Sequence, residues 1–387
     1  MRRVVIILLG MLFAVSVTAQ TKFEGKVSVD KTVHDFGDIS VGSGPVKCTF
    51  TITNISGQPL AITSVVSSCG CTDVNWTRPD IAPGKSGTVT ATYSNDEGPY
   101  PFDKTLTVWV SGLQKRIILH LRGVVCEKAR PIEQTYPVHF GKLALRSSSI
   151  KAGNLSQGEQ RSGEVTIVNL GDEPLKLEFK DVSPGLIVST DDEVLAPHGN
   201  THLCFTITAS RERWGKNWYY ATPVINGKIY RSKGKPDAET PMLGAQAIAD
   251  DGNPLLAEGS TKIGFWAITK ESFPEMTKEE RKAAPLPAFT ESTYSYGAVK
   301  AGKKIEVDFK YTNKGTRELK IYKIDSDSSR IGIPSSVKNV QPGKEGKIHV
   351  TLNTTGLPKG EHLFVVNLYT NSPTRPIVNL YLTGIVK

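Results

Sequence analysis

The chain has 387 residues, too many for one ordinary core and suited to two to four domains of about 100 residues each. Its formal charge of +9, with 22% charged residues and no long single-sign block, is a mild basic balance. That balance is compatible with an anionic glycan or a membrane surface and is accounted for by ordinary solubility. Five cysteines, an odd number, exclude a fully paired disulfide scaffold.

Arg2 and Arg3 precede an apolar run from Val4 to Val17, and Val17-Thr18-Ala19 sets small residues where a signal peptidase requires them. A secretory signal peptide over 1–19 is predicted. The run is shorter than the roughly 20 residues of a membrane anchor, and no cysteine stands near the cleavage point to carry a lipid. Loss of Arg2 and Arg3 takes the charge from +9 to +7. The mature chain is expected to be soluble, without a membrane span, in the periplasm, outside the cell or at its surface.

Three segments share one spacing. Asn54 to Leu60, Asn169 to Leu175 and Asn313 to Leu319 each read Asn-x-x-x-x-x-Leu, and 30 positions after each Asn stands a turn glycine: Gly84, Gly199 and Gly343. One interval found three times implies one fold three times. Upstream lie Val33-His34-Asp35-Phe36-Gly37, Val138-His139-Phe140-Gly141 and Tyr294-Ser295-Tyr296-Gly297, each expected to open a unit. Downstream, residues alternate as strands do: Val89, Ala91 and Tyr93; Leu203, Phe205 and Ile207; Ile348, Val350 and Leu352. Ile117, Leu119 and Leu121 before Gly123 match Val378, Leu380 and Leu382 before Gly384.

Helical periodicity is nearly absent. The pattern predicts an all-β chain of three tandem immunoglobulin-like β-sandwich domains of about seven strands each, over 24–126, 131–270 and 289–387. The Cys, Trp, Cys spacing of antibody domains is missing, so the cores are expected to rest on aliphatic packing. In the middle unit, Asn226-Gly227 predicts a hairpin, because both residues tolerate positive φ. A polar, proline-containing stretch over about 232–260 reads as an inserted loop, and Ile263 to Ile268 as the closing strand. Thr277-Lys278-Glu279-Glu280 is a capping box, so a short helix is predicted within a linker over 271–288, ending near Ala284 before Pro285 and Pro287.

The first unit resembles the bacterial domain of unknown function 1573. Its resemblance rests on Asp35-Phe36-Gly37, Ser68-Cys69-Gly70-Cys71-Thr72, Trp76, Ala82-Pro83-Gly84 and Gly98-Pro99-Tyr100-Pro101-Phe102-Asp103-Lys104. The third unit and the capped linker resemble it less fully, and the middle unit is the most diverged. That family is similar to Hydin-like and major sperm protein-like immunoglobulin-like domains, which implies protein interaction and not catalysis. Its frequency in exported proteins of Bacteroidetes-type bacteria implies a cell-envelope location. The later units lack Cys-Gly-Cys, with Pro184 and Leu186 there in the middle unit and Ser328 and Arg330 in the third.

Cys69-Gly70-Cys71 is the sharpest chemical feature. Two thiols one residue apart can hold a soft metal ion, form a local disulfide, or pair elsewhere, and Cys48 is a candidate partner for either. No second cysteine pair or histidine cluster lies nearby in sequence to complete a tetrahedral metal shell. A second candidate is the aromatic and basic run of Arg211, Arg213, Trp214, Lys216, Trp218, Tyr219, Tyr220, Lys228, Tyr230 and Arg231. Such a run can hold sugar rings or peptide, although strand alternation would bury about half of it.

His198 and His202 are four apart but flank a turn, so no helical metal pair is expected, and no cofactor is implied. His34 and His139, each beside a phenylalanine two or one residues on, are expected to be structural. No nucleophile elbow, phosphate loop or serine-lysine pair appears, and nucleic acid is not an expected ligand. The sequence therefore predicts a non-enzymatic adaptor binding an envelope protein or peptide, for instance by strand addition at a sheet edge. Glycan binding by the middle unit, and metal or redox chemistry at Cys69 and Cys71, are the alternatives.

Overall fold

The computed structural model describes residues 21–96, 98–128, 131–234 and 256–387. The predicted signal peptide and most of the predicted inserted loop lie outside the described residues. Regular structure is nearly all strand, as short alternating runs bounded by Gly, Pro and Asn require.

The first unit contains β1 (Thr21–Phe23), β2 (Val27–Val29), β3 (Val33–Ser40), β4 (Val46–Asn54) and β5 (Ile62–Ser67). It continues through β6 (Thr72–Trp76), β7 (Ser86–Tyr93), β8 (Pro101–Val110) and β9 (Ile117–Cys126). Two sheets result, ordered β1-β2-β4-β7-β6 and β3-β9-β8-β5.

A single-turn helix α1 (Ile132–Thr135) precedes the middle unit's β10 (Val138–Phe140), β11 (Leu143–Leu145), β12 (Ser149–Ser156), β13 (Gln160–Asn169), β14 (Leu175–Lys180) and β15 (Leu186–Thr190). Then come β16 (Val194–Leu195), β17 (Asn200–Thr208), β18 (Gly215–Ile225), β19 (Lys228–Ile229), β20 (Ser232–Lys233) and β21 (Ile263–Lys270). The sheets are β15-β17-β13-β11-β10-β20 and β12-β21-β18-β14-β16, with β19 on β18.

After α2 (Lys278–Ala283) follow β22 (Pro287–Phe289), β23 (Thr293–Val299), β24 (Lys304–Asn313) and β25 (Ile321–Ser326). The chain ends with β26 (Ile331–Gly332), β27 (Glu345–Asn353), β28 (Gly360–Thr370) and β29 (Ile377–Val386). They form sheets β22-β24-β27-β26 and β23-β29-β28-β25.

Buried apolar side chains gather in three clusters, each drawing on both sheets of a pair. In the first, Phe50, Val89 and Tyr93 from one sheet meet Leu106, Leu119 and Leu121 from the other. The alternating residues singled out in sequence are all in these cores. Packing is less aliphatic than expected, since Tyr93 stacks on Phe102 at 4.1 Å and Phe205 meets Phe265 at 5.2 Å. Aromatic rings span the gap between layers where aliphatic chains would leave voids.

The repeated asparagine explains the 30-residue interval. Asn54 Nδ2 donates to the carbonyls of Gln58 and Ile81, each at 2.8 Å, while its Oδ1 accepts the Ser56 N–H. Asn313 does the same with Arg317, Val340 and Gly315, and Asn169 with Glu173, Ala196 and Gly171. All three are buried. The glycine of the distant turn closes the frame: Gly84 and Gly343 donate to Asn54 and Asn313 carbonyls at 2.8 Å, and Asn169 donates to Gly199.

One expected equivalence is corrected. Strands β3, β12 and β23 pair in parallel with β9, β21 and β29, each with a register irregularity, at Asp35/Asp38, Lys151/Gly153 and Ser295/Gly297. The positive φ of Gly37 (67°), Gly153 (104°) and Gly297 (65°) permits that kink. Gly153 is thus the middle counterpart of Gly37, and Val138-His139-Phe140-Gly141 instead forms the β10–β11 hairpin. The kink needs a glycine but not the aromatic before it.

Both ends of the expected linker and first unit shift as well. Strand β1 lies ahead of residue 24 and pairs with β2, and β22 pairs with β24 although 287 and 288 were expected in the linker. Thr277 caps α2 with both halves of the capping box formed, and Ala284 is extended before Pro285. The Asn226-Gly227 hairpin forms with φ of 49° and 76°.

Candidate functional sites

Cys69 and Cys71 form a disulfide with each other, in the turn that carries the chain from β5 in one sheet to β6 in the other. Cys48 is therefore not a disulfide participant: it is a free thiol inside the first core, and burial pushes its pKa up to about 12. In the disulfide form neither Cys69 nor Cys71 offers a thiolate to a metal. Among the described residues no group of three or more His, Cys, Asp or Glu side chains is placed to hold a metal ion.

The aromatic and basic run does not form one patch. Tyr219 is in the middle core. Trp214 leaves this unit altogether and stacks on Tyr322 of the third, centroids 4.4 Å apart and planes 14° off parallel. Tyr230 packs against the middle core and Arg231 donates to the Gly259 carbonyl, while Lys228 sits on the exposed hairpin. What remains together on the outer face is Lys216, Trp218 and Tyr220, joined by Trp266, Lys151 and Lys262. Trp218 and Tyr220 lie nearly parallel, 6.2 Å apart, with the Lys216 ammonium 4.7 Å from the Trp218 ring and 4.6 Å from that of Trp266. Lys151 and Lys262 lie over Trp266 and Tyr220. Cation–π contacts thus already occupy part of this aromatic surface.

Two inter-unit contacts were not foreseen. Between the first and middle units, Glu164 on β13 is 5% exposed and receives His34 Nδ1 at 2.5 Å and Lys31 Nζ at 3.1 Å. Beside it Thr32 donates to the Ser162 carbonyl at 2.7 Å, Ser162 N donates to Thr21 Oγ1, and Arg146 reaches Asp38 at 2.7 Å. Burial works to raise the Glu164 pKa, but the His34 bond and the charges of Lys31 and His34 outweigh it and hold the carboxyl below its ordinary value. Between the middle and third units, the Trp214–Tyr322 stack sits by Asp325, which accepts the Lys216 backbone N–H at 3.0 Å. His34 and His139, expected to be equivalent, make different contacts: His34 meets Glu164 and His139 the Tyr136 carbonyl. His198 and His202 each meet an aspartate, Asp172 and Asp191, and do not converge.

An apolar patch also escaped the sequence reading. On the outer face of the β3-β9-β8-β5 sheet, Val66 (52% exposed), Ile118 (36%) and Trp109 (38%) lie on three adjacent strands. A hollow of ≈ 510 Å³ beside them is lined by Trp109, Leu113, Lys115, Arg116 and Ile118, among others. Its only sequence signal is large apolar residues at positions that alternation assigns to solvent.

A family model described as "Protein of unknown function (DUF1573)" matches residues 27–125 and 287–386, together more than half of the chain. The chain belongs to this family. None of the curated proteins matches it. Among solved structures, a protein of unknown function from Porphyromonas gingivalis W83 is similar at 11% identity and TM-score 0.44, covering 64% of this chain and 100% of that one. The PapD-like domain 7 of human CEP192 is similar at 12% identity and TM-score 0.24, covering 30% of this chain and 94% of that one. A major sperm protein family member of C. elegans, WR4, has 16% identity and TM-score 0.21, covering 26% and 98%.

The two DUF1573 segments hold the first and third cores, so one chain presents the same crossover turn with and without sulfur. In the first, Ser67 Oγ donates to the Cys69 carbonyl at 2.9 Å and Cys71 N donates to Cys69 Sγ at 3.2 Å. In the third, Ser326 Oγ donates to the Ser328 carbonyl at 2.8 Å and Arg330 N to Ser328 Oγ at 3.2 Å. Serine reproduces the turn's hydrogen bonds.

Proposed function

We propose that this chain is an exported, non-enzymatic adaptor of the cell envelope, in the periplasm or at the surface, that binds a protein partner. The observation that carries this reading is the exposed Val66, Trp109 and Ile118 patch, rimmed by Lys115 and Arg116. Tryptophan and arginine around an apolar centre are the residues that dominate protein interfaces, and the basic rim favours a partner with acidic residues around an apolar knob. Immunoglobulin-like sandwiches commonly serve as binding modules. The predicted signal peptide supports export, and among the described residues no helix is long and apolar enough to cross a membrane.

A photo-crosslinker at position 66 in intact cells is expected to capture one defined protein. Trp109→Ala with Ile118→Ser should weaken that partner by about thirtyfold, a loss of about 2 kcal/mol, without changing the melting curve. Unchanged affinity in this folded variant would remove the reading.

Glycan binding by the middle unit is the second reading, favoured by the near-parallel Trp218 and Tyr220 rings on an outer face bearing three lysines. Trp218→Ala should then lose retention on cell-wall polysaccharide. If retention of the intact chain and the variant is the same, this face is a packed surface and not a sugar platform. Trp214→Ala is no test of it, because that ring belongs to the contact with the third unit.

A further inference from the structure

We infer that Cys69–Cys71 is a thiol-exchange centre, a disulfide built to open and close against the dithiol of a partner protein. This activity replaces the non-enzymatic part of the adaptor reading with redox chemistry and does not depend on partner binding at the Val66, Trp109 and Ile118 patch. Three observations combine.

The bond closes the smallest loop available, Cys69-Gly70-Cys71, with its Cα atoms 5.3 Å apart. A disulfide stabilises chiefly by restricting the unfolded chain, more for longer loops, so this one contributes least of all. The third unit supplies an internal control: Ser326, Ser328 and Arg330 build the same turn with the same two hydrogen bonds and no sulfur. Folding of the turn therefore gives no reason for a bond at this position.

The turn is also anchored independently of the bond. Ser68 N donates to the Thr105 carbonyl at 2.9 Å and Ser94 N to the Cys71 carbonyl at 2.9 Å, so both sheets hold the backbone when the sulfurs separate. Cys69 and Cys71 are only half-buried, unlike Cys48. Cys71 packs against the first core, which leaves Cys69 as the outer sulfur.

Exchange then runs in two balanced steps. A thiolate of the partner attacks Cys69 Sγ, the Cys69–Cys71 bond breaks, and Cys71 departs as a thiolate that takes a proton from water. The partner's second thiolate attacks its own sulfur in the mixed disulfide and releases Cys69, which is likewise protonated. The partner loses two electrons and becomes a disulfide; Cys69 and Cys71 gain them and become thiols. The Cys71 backbone N–H, 3.2 Å from Cys69 Sγ, stabilises the thiolate released in the second step.

The test places the full mature chain in a glutathione buffer at the poise of a secretory compartment, followed by alkylation and mass spectrometry of residues 69 and 71. Most molecules are expected to carry both labels while the circular dichroism and melting curve stay unchanged. Oxidised chain given dithiothreitol without air should consume two thiols per chain, and Cys69→Ser/Cys71→Ser, folded like the parent, none. A bond that remains closed in that buffer overturns the inference. So does opening accompanied by loss of the first core, or a double serine variant that does not fold, since either makes the bond structural.

Discussion

Asn313→Ala is expected to lower the stability of the third core by about 3 kcal/mol, with similar losses for Asn54→Ala in the first and Asn169→Ala in the middle one. Each side chain makes at least three hydrogen bonds to backbone groups around its turns, with the Leu195 carbonyl and the Leu286 N–H adding a fourth for Asn169 and Asn313, and each is buried with at most 1% exposure. Alanine takes one partner from at least two carbonyls and one N–H. The Ile81, Val340 and Ala196 carbonyls keep the N–H of Leu60, Leu319 and Gly199, so the loss falls chiefly on the remaining groups, and a buried unsatisfied group costs about 1–3 kcal/mol. Aspartate should be worse at the same positions. Its carboxylate cannot donate, so both carbonyls would face a negative charge. Urea unfolding of the single variants measures this. A loss below about 1 kcal/mol would mean that the turn rearranges or hydrates and that the asparagine is not the fastening.

Glu164→Ala is expected to loosen the first unit from the middle one by about 3 kcal/mol, the lower end of what breaking a buried ion pair costs. The lower end applies because the Lys31 side chain keeps 21% exposure whereas that of Glu164 keeps 4%. Alanine removes the buried carboxylate that Lys31 and His34 share and leaves Lys31 only the weaker attraction of Asp30 and Asp191. The pH dependence has a definite sign. A carboxyl whose folded pKa is depressed contributes stability that is fully present above its unfolded value, about 4.3, and lost as pH falls through the lower folded value. Docking of these units should therefore be intact at neutral pH and weaken in acid, below the ordinary carboxylate range. Unfolding of the two cores followed by fluorescence from pH 7 downward should show them separate in acid, and Glu164→Ala should already behave that way at pH 7. An identical acid profile in wild type and variant would contradict it.

The repeat was legible because it is written in backbone necessities. An asparagine bridging two turns and a glycine closing the frame cannot be replaced freely, and alternation shows which residues face the core. The middle unit misled where a kink demanded only Gly153, preceded by Ala152 and not by an aromatic. The Cys69–Cys71 bond was open in sequence because spacing alone also allowed Cys48, whose side chain alternation points into the core. The inter-unit contacts were not legible at all. Glu164 lies in a strand like any polar residue, and its partners Lys31 and His34 stand more than 100 positions away; nothing in local pattern encodes which surfaces meet. Trp214 failed as a ligand residue for the same reason, since its ring is used by Tyr322 of another unit.

We propose that each of the three cores folds as its own domain around its own asparagine. Hydrogen exchange followed by mass spectrometry on Asn54→Ala, Asn169→Ala and Asn313→Ala tests this most directly. Each variant should lose protection in its own pair of turns and the strands beside them, with the other two sites retaining theirs. Equal loss at all three sites from any one substitution, or loss at none, would contradict it.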